Sequence, residues 1–387
     1  MALDDATLTV ALGFMPSAAA IPDVDHPGLL RAGPRASAPY GGESVEMHVC
    51  EATDCTQDDT VHPDLFESGF DTVDLAAFQP LQEALARVRE AGRVADADAE
   101  AIRSALGGAT LRLSGGSTVE VLYLAGEGFI MRKSGPNGMS VVGPRSTGMN
   151  DHGAATSVHA DQDVFGTPLT QVMDGRAPSL FRHDSPDGHN HDAGLMLVNL
   201  WIPLQQITQP LVFADGRSLD RRRQQLRYGL GTQTFLERGG EMVVNDIWTF
   251  LHDPGQRWYL RSAMDHRSAY VFNTLSTPHS ACALPGEDVA ERCYRVLEAA
   301  ESAVRAGDIT AVTEAIAPAL PVVVPREVPP ALRHAIAAMV SAMDETIADP
   351  GVVCGGGAQR WLAASSAARR RVVRMSLELR MVVSISA

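Results

Sequence analysis

The chain has 387 residues, of which 45% are hydrophobic and 20% are charged, and it carries a formal net charge of −15. This length and composition are typical of a globular protein that forms one large domain with an insertion, or two domains. Nucleic acid and anionic membrane surfaces are poor partners for such a chain, because both repel negative charge.

The spacing of the cysteines and the first ten residues indicate the cellular compartment of the protein. Five cysteines without a C-x-x-C spacing argue against a disulfide framework or a zinc ribbon. The first residues, MALDDATLTV, are acidic where a secretory peptide needs positive charge, and no apolar run approaches the length of a membrane span. We therefore expect a cytoplasmic protein with reduced thiols.

The N-terminal part, residues 1–108, is predicted to be an irregular and helical support region. Residues 1–70 contain many Pro, Gly and Ala residues and only short apolar runs. Helical spacing then appears in PLQEALARVREAG (80–92) and DAEAIRSALGG (98–108). Asp98 is the expected N-cap of the second helix, and Gly107 is its expected end.

From residue 109 to residue 285 the hydrophobic period becomes two. ATLRLSG, TVEVLYLAG and GFIMRKS are typical of strands separated by Gly-rich turns, and LMLVNLWIPL (195–204) is typical of a buried strand. Further strands are expected in QPLVFAD, EMVVNDIWTFLHD, RWYLRSAM and SAYVFNTLSTPHSACAL. Many short strands with turn signals predict a sandwich or a barrel.

Residues 286–368 return to helical spacing, and residues 369–387 again resemble a strand. A terminal strand after a helical block indicates that the helices are an insertion and that the last residues close the β-domain. We expect the insertion to serve as a lid or as the surface of a homodimer.

The stretch VHADQDVFG (158–166) places His159 and Asp161 on one face of a strand, because residues i and i+2 of a strand point the same way. His279, in NTLSTPHSACAL, is the best third ligand. Two imidazoles and one carboxylate form the facial triad of non-haem Fe(II) oxygenases, which leaves positions open for a co-substrate and O₂. A His-x-Asp tripeptide alone often arises by chance in a chain of this length, and a lone His is more often a packed residue than a ligand.

Oxygenases of this kind usually take electrons from 2-oxoglutarate, whose far carboxylate needs a cation. Arginine suits that role, because its fork binds a carboxylate through two hydrogen bonds. Arg380 is the candidate, with Ser376 four residues earlier on the same face of the strand SLELRMVV. A solvent-facing edge strand explains the same alternation equally well.

Several motifs resemble the Fe(II)/2-oxoglutarate oxygenases related to the cephamycin-pathway hydroxylase, the gibberellin desaturase-like proteins and the fungal toxin-pathway hydroxylases. These motifs are NLWIPL (199–204), PLVFADGRS (210–218), RWYLRSAM (257–264), TPHSA (277–281) and SLELR (376–380). The chain departs from the group at Ile202, where the relatives often have Arg, and in the helical block between His279 and Arg380. If this block displaces Arg380, Arg292 or Arg295 is the fallback.

The resemblance implies a double-stranded β-helix (jelly-roll) core that binds Fe(II) through His159, Asp161 and His279. It also implies that Arg380 and Ser376 bind 2-oxoglutarate. The expected reaction is O₂-dependent oxidation of a C–H bond in a small specialised metabolite or amino-acid-derived substrate, with release of succinate and CO₂. Asp161 argues against a halogenase, which needs a small residue there.

Two other functions remain open from the sequence. One is a cupin-like metal enzyme that does not use 2-oxoglutarate, and the other is a jelly-roll binding module without catalysis. Asn199 and Trp201 are weaker candidates for lining the substrate pocket. A cluster of His183, His189, His191 and Asp192 lies in a Gly- and Pro-rich stretch that is a poor rigid scaffold for a metal.

Overall fold

The computed structural model describes residues 6–33, 45–58, 60–125, 129–143, 148–162, 194–232 and 243–386. The strands are β1 (Thr7–Phe14), β2 (Ala20–Pro22), β3 (Leu30–Ala32), β4 (Glu46–Asp54), β5 (Phe70–Asp74), β6 (Thr110–Arg112), β7 (Thr118–Leu124), β8 (Ile130–Ser134), β9 (His159–Ala160), β10 (Leu195–Gln205), β11 (Leu211–Ala214), β12 (Gln225–Thr232), β13 (Val243–Phe250), β14 (Trp258–Leu260), β15 (Ser268–Asn273), β16 (His279–Ala281) and β17 (Arg374–Ser386). The helices are α1 (Gln79–Ala91), α2 (Asp96–Leu106), α3 (Arg221–Gln224), α4 (Glu287–Ala306), α5 (Ile309–Ile316), α6 (Pro330–Ala348), α7 (Pro350–Cys354) and α8 (Ala358–Arg371).

Among the described residues, ten strands form the larger sheet in the order β1-β4-β14-β11-β16-β9-β13-β12-β3-β2. Its middle contains two very short strands, β16 and β9, which pair with each other and with the longer strand on either side. Their side chains are therefore held inside the sheet rather than at a loose edge.

The smaller sheet has the order β5-β15-β10-β17-β7-β6, with β8 also paired to β17. Its centre is the long antiparallel pair of β10 and β17, which runs from Leu195 opposite Ser384 to Gln205 opposite Met375. β10 is apolar along almost its whole length because both of its faces are buried.

The two sheets face each other through a cluster of aromatic residues. Phe70 and Trp201 of the smaller sheet belong to the same buried cluster as Phe213 of the larger sheet. Phe70 stacks on Phe213 with ring centroids 4.7 Å apart. The other face of the smaller sheet packs on α1 and α2 through a second apolar core. The presence of two β-sheets with added helices is thus confirmed, although the described helices hold nearly as many residues as the strands, and the finer assignment to a jelly-roll stays a prediction.

Helices α4 to α8 lie between β16 and β17 in the chain and share an apolar core of their own. Trp361, which is fully buried in this core, donates its indole N–H to the carbonyl oxygen of Ala342 at 3.0 Å. Helices α4 to α8 and the closing strand β17 therefore occur where the sequence pattern predicts a helical block and a terminal strand. The proposed division into domains and the role of this block as a lid or dimer surface stay predictions.

Two local expectations are wrong. Residues 1–70 are not merely irregular, since β1 and β4 form an eight-residue antiparallel ladder and β4 also pairs with β14. Asp98 is not an N-cap, because α2 begins at Asp96 after Ala95. The Asp98 carboxylate instead accepts a hydrogen bond from Arg87 at 2.8 Å. Gly107 does follow the last helical residue, as predicted.

All five cysteines are free thiols, four of them buried. Within the described part of the chain, no helix is both long enough and apolar enough to cross a membrane.

Candidate metal centre

The two candidate histidines are direct neighbours across a pair of strands. His159 on β9 lies opposite His279 on β16 in an antiparallel pair. Their rings lie 4.5 Å apart, centroid to centroid. Both are buried, with 7% and 4% of their surface exposed. The two histidines are 120 residues apart in the sequence, and the pairing of β9 with β16 places them side by side.

Each histidine is oriented by a hydrogen bond to the backbone. Nδ1 of His159 lies 2.8 Å from the carbonyl oxygen of Ser157, and Nδ1 of His279 lies 3.0 Å from that of Thr277. A carbonyl oxygen only accepts, so we assign the proton of each neutral ring to Nδ1. Each Nε2 is then a bare lone pair, which is the form that binds a metal.

Asp161 follows β9 and directs one carboxylate oxygen at both rings. Its Oδ1 lies 3.4 Å from Nε2 of His159 and 3.8 Å from Nε2 of His279. The ligand atoms of the three residues all lie within 4.8 Å of one another. The structure thus brings together all three residues that the sequence analysis selected as ligands.

The pKa values of His279 and Asp161 favour a bound metal cation over a bound proton. Burial and the neighbouring His159 lower the pKa of His279 to about 4, so the ring is neutral at pH 7. Burial alone raises the pKa of Asp161, but His279, His159 and Arg380 outweigh it and hold this pKa well below its usual range. The lone pair of His279 Nε2 and an ionised carboxylate therefore face one point together with Nε2 of His159, and a divalent cation there can be bound by all three residues.

β10 and β17 of the smaller sheet supply the opposite wall. Asn199 on β10 is the register partner of Arg380 on β17, and both are buried. Asn199 Nδ2 donates to Oδ2 of Asp161, while an Nη of Arg380 lies 3.9 Å from that same oxygen. Arg380 therefore lies directly beside a candidate metal ligand.

A narrow cavity adjoins the two histidines. Its polar lining comes from His159, His279, Arg132, Arg374 and Glu378, and Trp201 forms an apolar wall. Arg132 lies 3.4 Å from Glu378 and also donates to the carbonyl oxygen of Gly153 at 3.1 Å. Burial and the charge of Asp161 raise the pKa of Glu378. Trp201 thus lies where the sequence analysis expected a pocket residue.

Arg374 and Ser376 present unsatisfied polar atoms. Arg374 is fully buried and donates to the carbonyl oxygen of Gln209 at 2.9 Å, and its guanidinium carbon lies 5.9 Å from the ring centroid of Trp201. Arg374 Nε and Ser376 Oγ are buried and have no hydrogen-bond partner among the described residues. Burial lowers the pKa of Arg374 to about 10, so the group stays charged at neutral pH. A guanidinium and a hydroxyl in this state suit an anionic ligand.

Sequence reasoning did not single out Arg374, Arg132 or Glu378. The signal for two of them was present, because Arg374, Ser376, Glu378 and Arg380 alternate along one strand and share one face. Arg132 lies within the predicted strand GFIMRKS, where nothing separates it from an ordinary exposed arginine.

The two fallback arginines lie on the surface of the helical block. Arg292 and Arg295 are exposed on α4, and Arg295 pairs with Glu291 at 2.8 Å. Cys282, one residue after β16, is buried, and burial raises the pKa of its thiol, which fits a packed residue rather than a nucleophile. The cluster of His183, His189, His191 and Asp192 lies outside the described residues.

No protein-family model matches the chain, and no curated protein matches it. Among solved structures, the chain is similar to the iron and alpha-ketoglutarate-dependent endoperoxidase NvfI, with a TM-score of 0.44, 13% identity and coverage of 98% of this chain and 99% of that one. A tryptophan-to-phenylalanine variant of the same enzyme gives a TM-score of 0.46 at 14% identity, with 99% of both chains covered.

Proposed function

We propose that the chain is an Fe(II)- and 2-oxoglutarate-dependent oxygenase that oxidises a C–H bond of a small organic substrate. The observation that carries the proposal is the convergence of Nε2 of His159, Nε2 of His279 and Oδ1 of Asp161 beside a cavity with a buried arginine. We also propose that the two sheets form a double-stranded β-helix around this point.

The donor set suits iron. Two imidazole nitrogens and one carboxylate oxygen on one side of a metal are the ligands of non-haem Fe(II) oxygenases, and they leave the other side open. His159 and His279 would bind through Nε2, because their Nδ1 atoms are engaged with carbonyl oxygens. Asp161 would bind through Oδ1, the oxygen nearest both rings.

For the far carboxylate of 2-oxoglutarate we propose Arg374 and Ser376, with Arg380 in a different role. The keto acid end of 2-oxoglutarate chelates the metal, so its far carboxylate lies several bonds away along the cavity. Arg374 lines that cavity and has a free Nε, and Ser376 Oγ on the same strand face is also without a partner among the described residues. Arg380, 3.9 Å from Asp161, is too close to the metal ligands for this task.

Iron and 2-oxoglutarate together supply an oxidant strong enough to remove hydrogen from carbon, with O₂ consumed and succinate and CO₂ released. The chain's own contribution is positional. His159, His279 and Asp161 hold one side of the site, and Arg374 orients the co-substrate. Trp201 and the neighbouring Phe272 and Phe213 keep water from that wall of the pocket, because all three are buried around His279. The substrate we expect is a small specialised metabolite or an amino-acid derivative, oxidised by hydroxylation, desaturation or ring formation.

The test is succinate release from 2-oxoglutarate by the purified chain with Fe(II) and O₂. We expect succinate from the wild type and none from His279→Ala. Arg374→Ala should need at least about tenfold more 2-oxoglutarate, because losing a charged hydrogen bond costs about 1.5–3 kcal/mol. Arg371→Ala is the matched control, since Arg371 is exposed just before the same strand.

Two outcomes would overturn the proposal. Metal bound by all three ligands without any succinate would favour a cupin-like metal enzyme that does not use 2-oxoglutarate. Absence of metal binding by the wild type would leave a jelly-roll binding module as the better account.

A further inference from the structure

Asn199 makes the most complete set of polar contacts near the site. Its side chain is fully buried on β10. Nδ2 donates one hydrogen bond to Oδ2 of Asp161 and one to Oε1 of Glu378, the latter at 3.1 Å. Oδ1 accepts from Thr274 Oγ1 at 3.2 Å and from Arg380 Nε at 3.3 Å. Both donors and both acceptor positions of the carboxamide are therefore in use.

These partners fix which way the carboxamide points. The carboxylates of Asp161 and Glu378 only accept when ionised, and the guanidinium of Arg380 only donates. A flipped amide would place its NH₂ against the donating Arg380 and its oxygen against the ionised carboxylate of Asp161. The network thus allows one orientation, in which N–H faces Asp161.

The two oxygens of Asp161 consequently have different partners. Oδ1 lies 3.4 Å and 3.8 Å from the two histidine Nε2 atoms, while Oδ2 accepts the hydrogen bond from Asn199. Asp161 itself lies just beyond the two-residue strand β9, so its own strand does little to hold it. The contact from β10 therefore joins the smaller sheet to the metal-binding residues of the larger one.

We propose that Asn199 is a positioning residue that holds Asp161 in a monodentate arrangement, with Oδ1 on the metal and Oδ2 on the amide. This inference rests on the proposed metal site. A carboxylate that bound through both oxygens would occupy one more position on the metal, where the co-substrate and O₂ are required. Asn199 therefore sets both the affinity of the metal and the number of positions left open on it.

The first experiment measures Co(II) affinity by titration of the metal-free chain, with Asn199→Ala and the isosteric Asn199→Asp as test variants. We expect Co(II) to bind about 10- to 100-fold more weakly in both, the usual effect of removing a hydrogen-bond partner of a metal ligand. Asn273→Asp is the matched control. Asn273 is also a buried strand asparagine, one strand away, and among the described residues its Oδ1 accepts only from the N–H of Leu275.

A second readout separates positioning from a general loss of structure. In an Asp161→Ala background, the further change Asn199→Ala should cause no additional loss of Co(II) affinity, since the residue acts through Asp161. The visible absorption spectrum of bound Co(II) should also change in Asn199→Ala, because a second oxygen of Asp161 would replace another ligand of the metal.

The outcomes are separable. If the wild type does not bind Co(II), the proposed function itself fails. If the wild type binds and either Asn199 variant, folded by circular dichroism, binds equally tightly, the metal site stands and the role of Asn199 is refuted. An equal loss with and without Asp161 would also refute it. Should Asn199→Ala not fold, Asn199→Asp decides.

Discussion

His159 and His279 face each other as register partners on two short antiparallel strands, and each engages its Nδ1 with the carbonyl oxygen two residues before it. This shared arrangement leaves both Nε2 atoms directed at the same oxygen of Asp161. Strand pairing and backbone hydrogen bonds thus prepare the ligand geometry before any metal arrives.

Metal binding should therefore stabilise the folded chain. At a free Co(II) concentration about a thousandfold above its Kd, the free energy of unfolding should rise by about 4 kcal/mol, because the unfolded chain lacks the site. Urea unfolding with and without Co(II) measures this. His279→Ala should abolish the gain and His48→Ala should keep it, since His48 stacks on His252 and is not a member of the candidate group. An equal gain in His279→Ala would contradict the assignment.

Arg374 and Arg380 should have separable roles. Arg380→Ala should weaken Co(II) binding, because Arg380 donates to Oδ1 of Asn199 and so helps to hold the amide that contacts Asp161. Arg374→Ala should raise the 2-oxoglutarate requirement without that loss. Ser376→Ala should raise this requirement about fivefold, the equivalent of one hydrogen bond of about 1 kcal/mol. Metal and 2-oxoglutarate titrations of the three variants decide between them. If Arg380→Ala alone changed the 2-oxoglutarate requirement, Arg380 would be the anchor.

Glu287 should link the helical block to Arg374. Its buried carboxylate accepts from the N–H groups of Asn137, Gln209 and Leu284 at 2.6, 2.7 and 3.1 Å, and from the Gln209 side chain at 2.9 Å. The Gln209 carbonyl in turn accepts from Arg374.

Glu287→Ala leaves these donors without a partner, so we expect the free energy of unfolding to fall by about 3 kcal/mol. We also expect more 2-oxoglutarate to be needed. Glu291→Ala, one turn later on α4, should change the unfolding free energy by less than about 0.5 kcal/mol, because Glu291 makes only side-chain bonds near the surface. Equal destabilisation by both variants would argue against a specific link.

Asp71 should make stability depend on pH. Burial, opposed in part by backbone hydrogen bonds, raises its pKa to about 6. An unfolded Asp titrates near 3.9, so between about pH 4 and pH 6 the folded chain binds the extra proton and stability falls as the pH rises.

Asp71→Asn removes this titration. We compare the free energy of unfolding of the variant with that of the wild type. This difference should shift by on the order of 2 kcal/mol in favour of the variant as the pH rises from 4 to 7, since one pKa unit corresponds to about 1.4 kcal/mol. Urea midpoints of both proteins at the two pH values test this. A difference that does not change with pH would show that the Asp71 pKa is not raised.

Local patterns in the sequence were enough to find the candidate ligands and most strands. Alternating and continuous apolar runs located β6 to β8, β10, β11 and β13 to β17 closely but missed β12, and the i, i+2 rule placed His159 and Asp161 on one face. His279 followed from its position after an apolar run. These features depend on neighbours along the chain, which a single sequence displays.

What the sequence missed depends on tertiary pairing. β1 and β4 become strands because they pair with each other and with β14, although Pro- and Gly-rich stretches surround them. Likewise, alternation along β17 puts Arg374, Ser376, Glu378 and Arg380 on one face but does not say which one reaches the metal ligands. The register with β10 decides that, by setting Arg380 opposite Asn199.

The most direct measurement is an anaerobic titration of the purified chain with Fe(II) and 2-oxoglutarate, watching for the weak visible charge-transfer band of a 2-oxoglutarate–Fe(II) complex. The account predicts one Fe(II) per chain and a band that is lost in His159→Ala and in His279→Ala. Arg374→Ala should show the band only at higher 2-oxoglutarate. Iron that binds without a band, or a band that survives both histidine variants, would contradict the account.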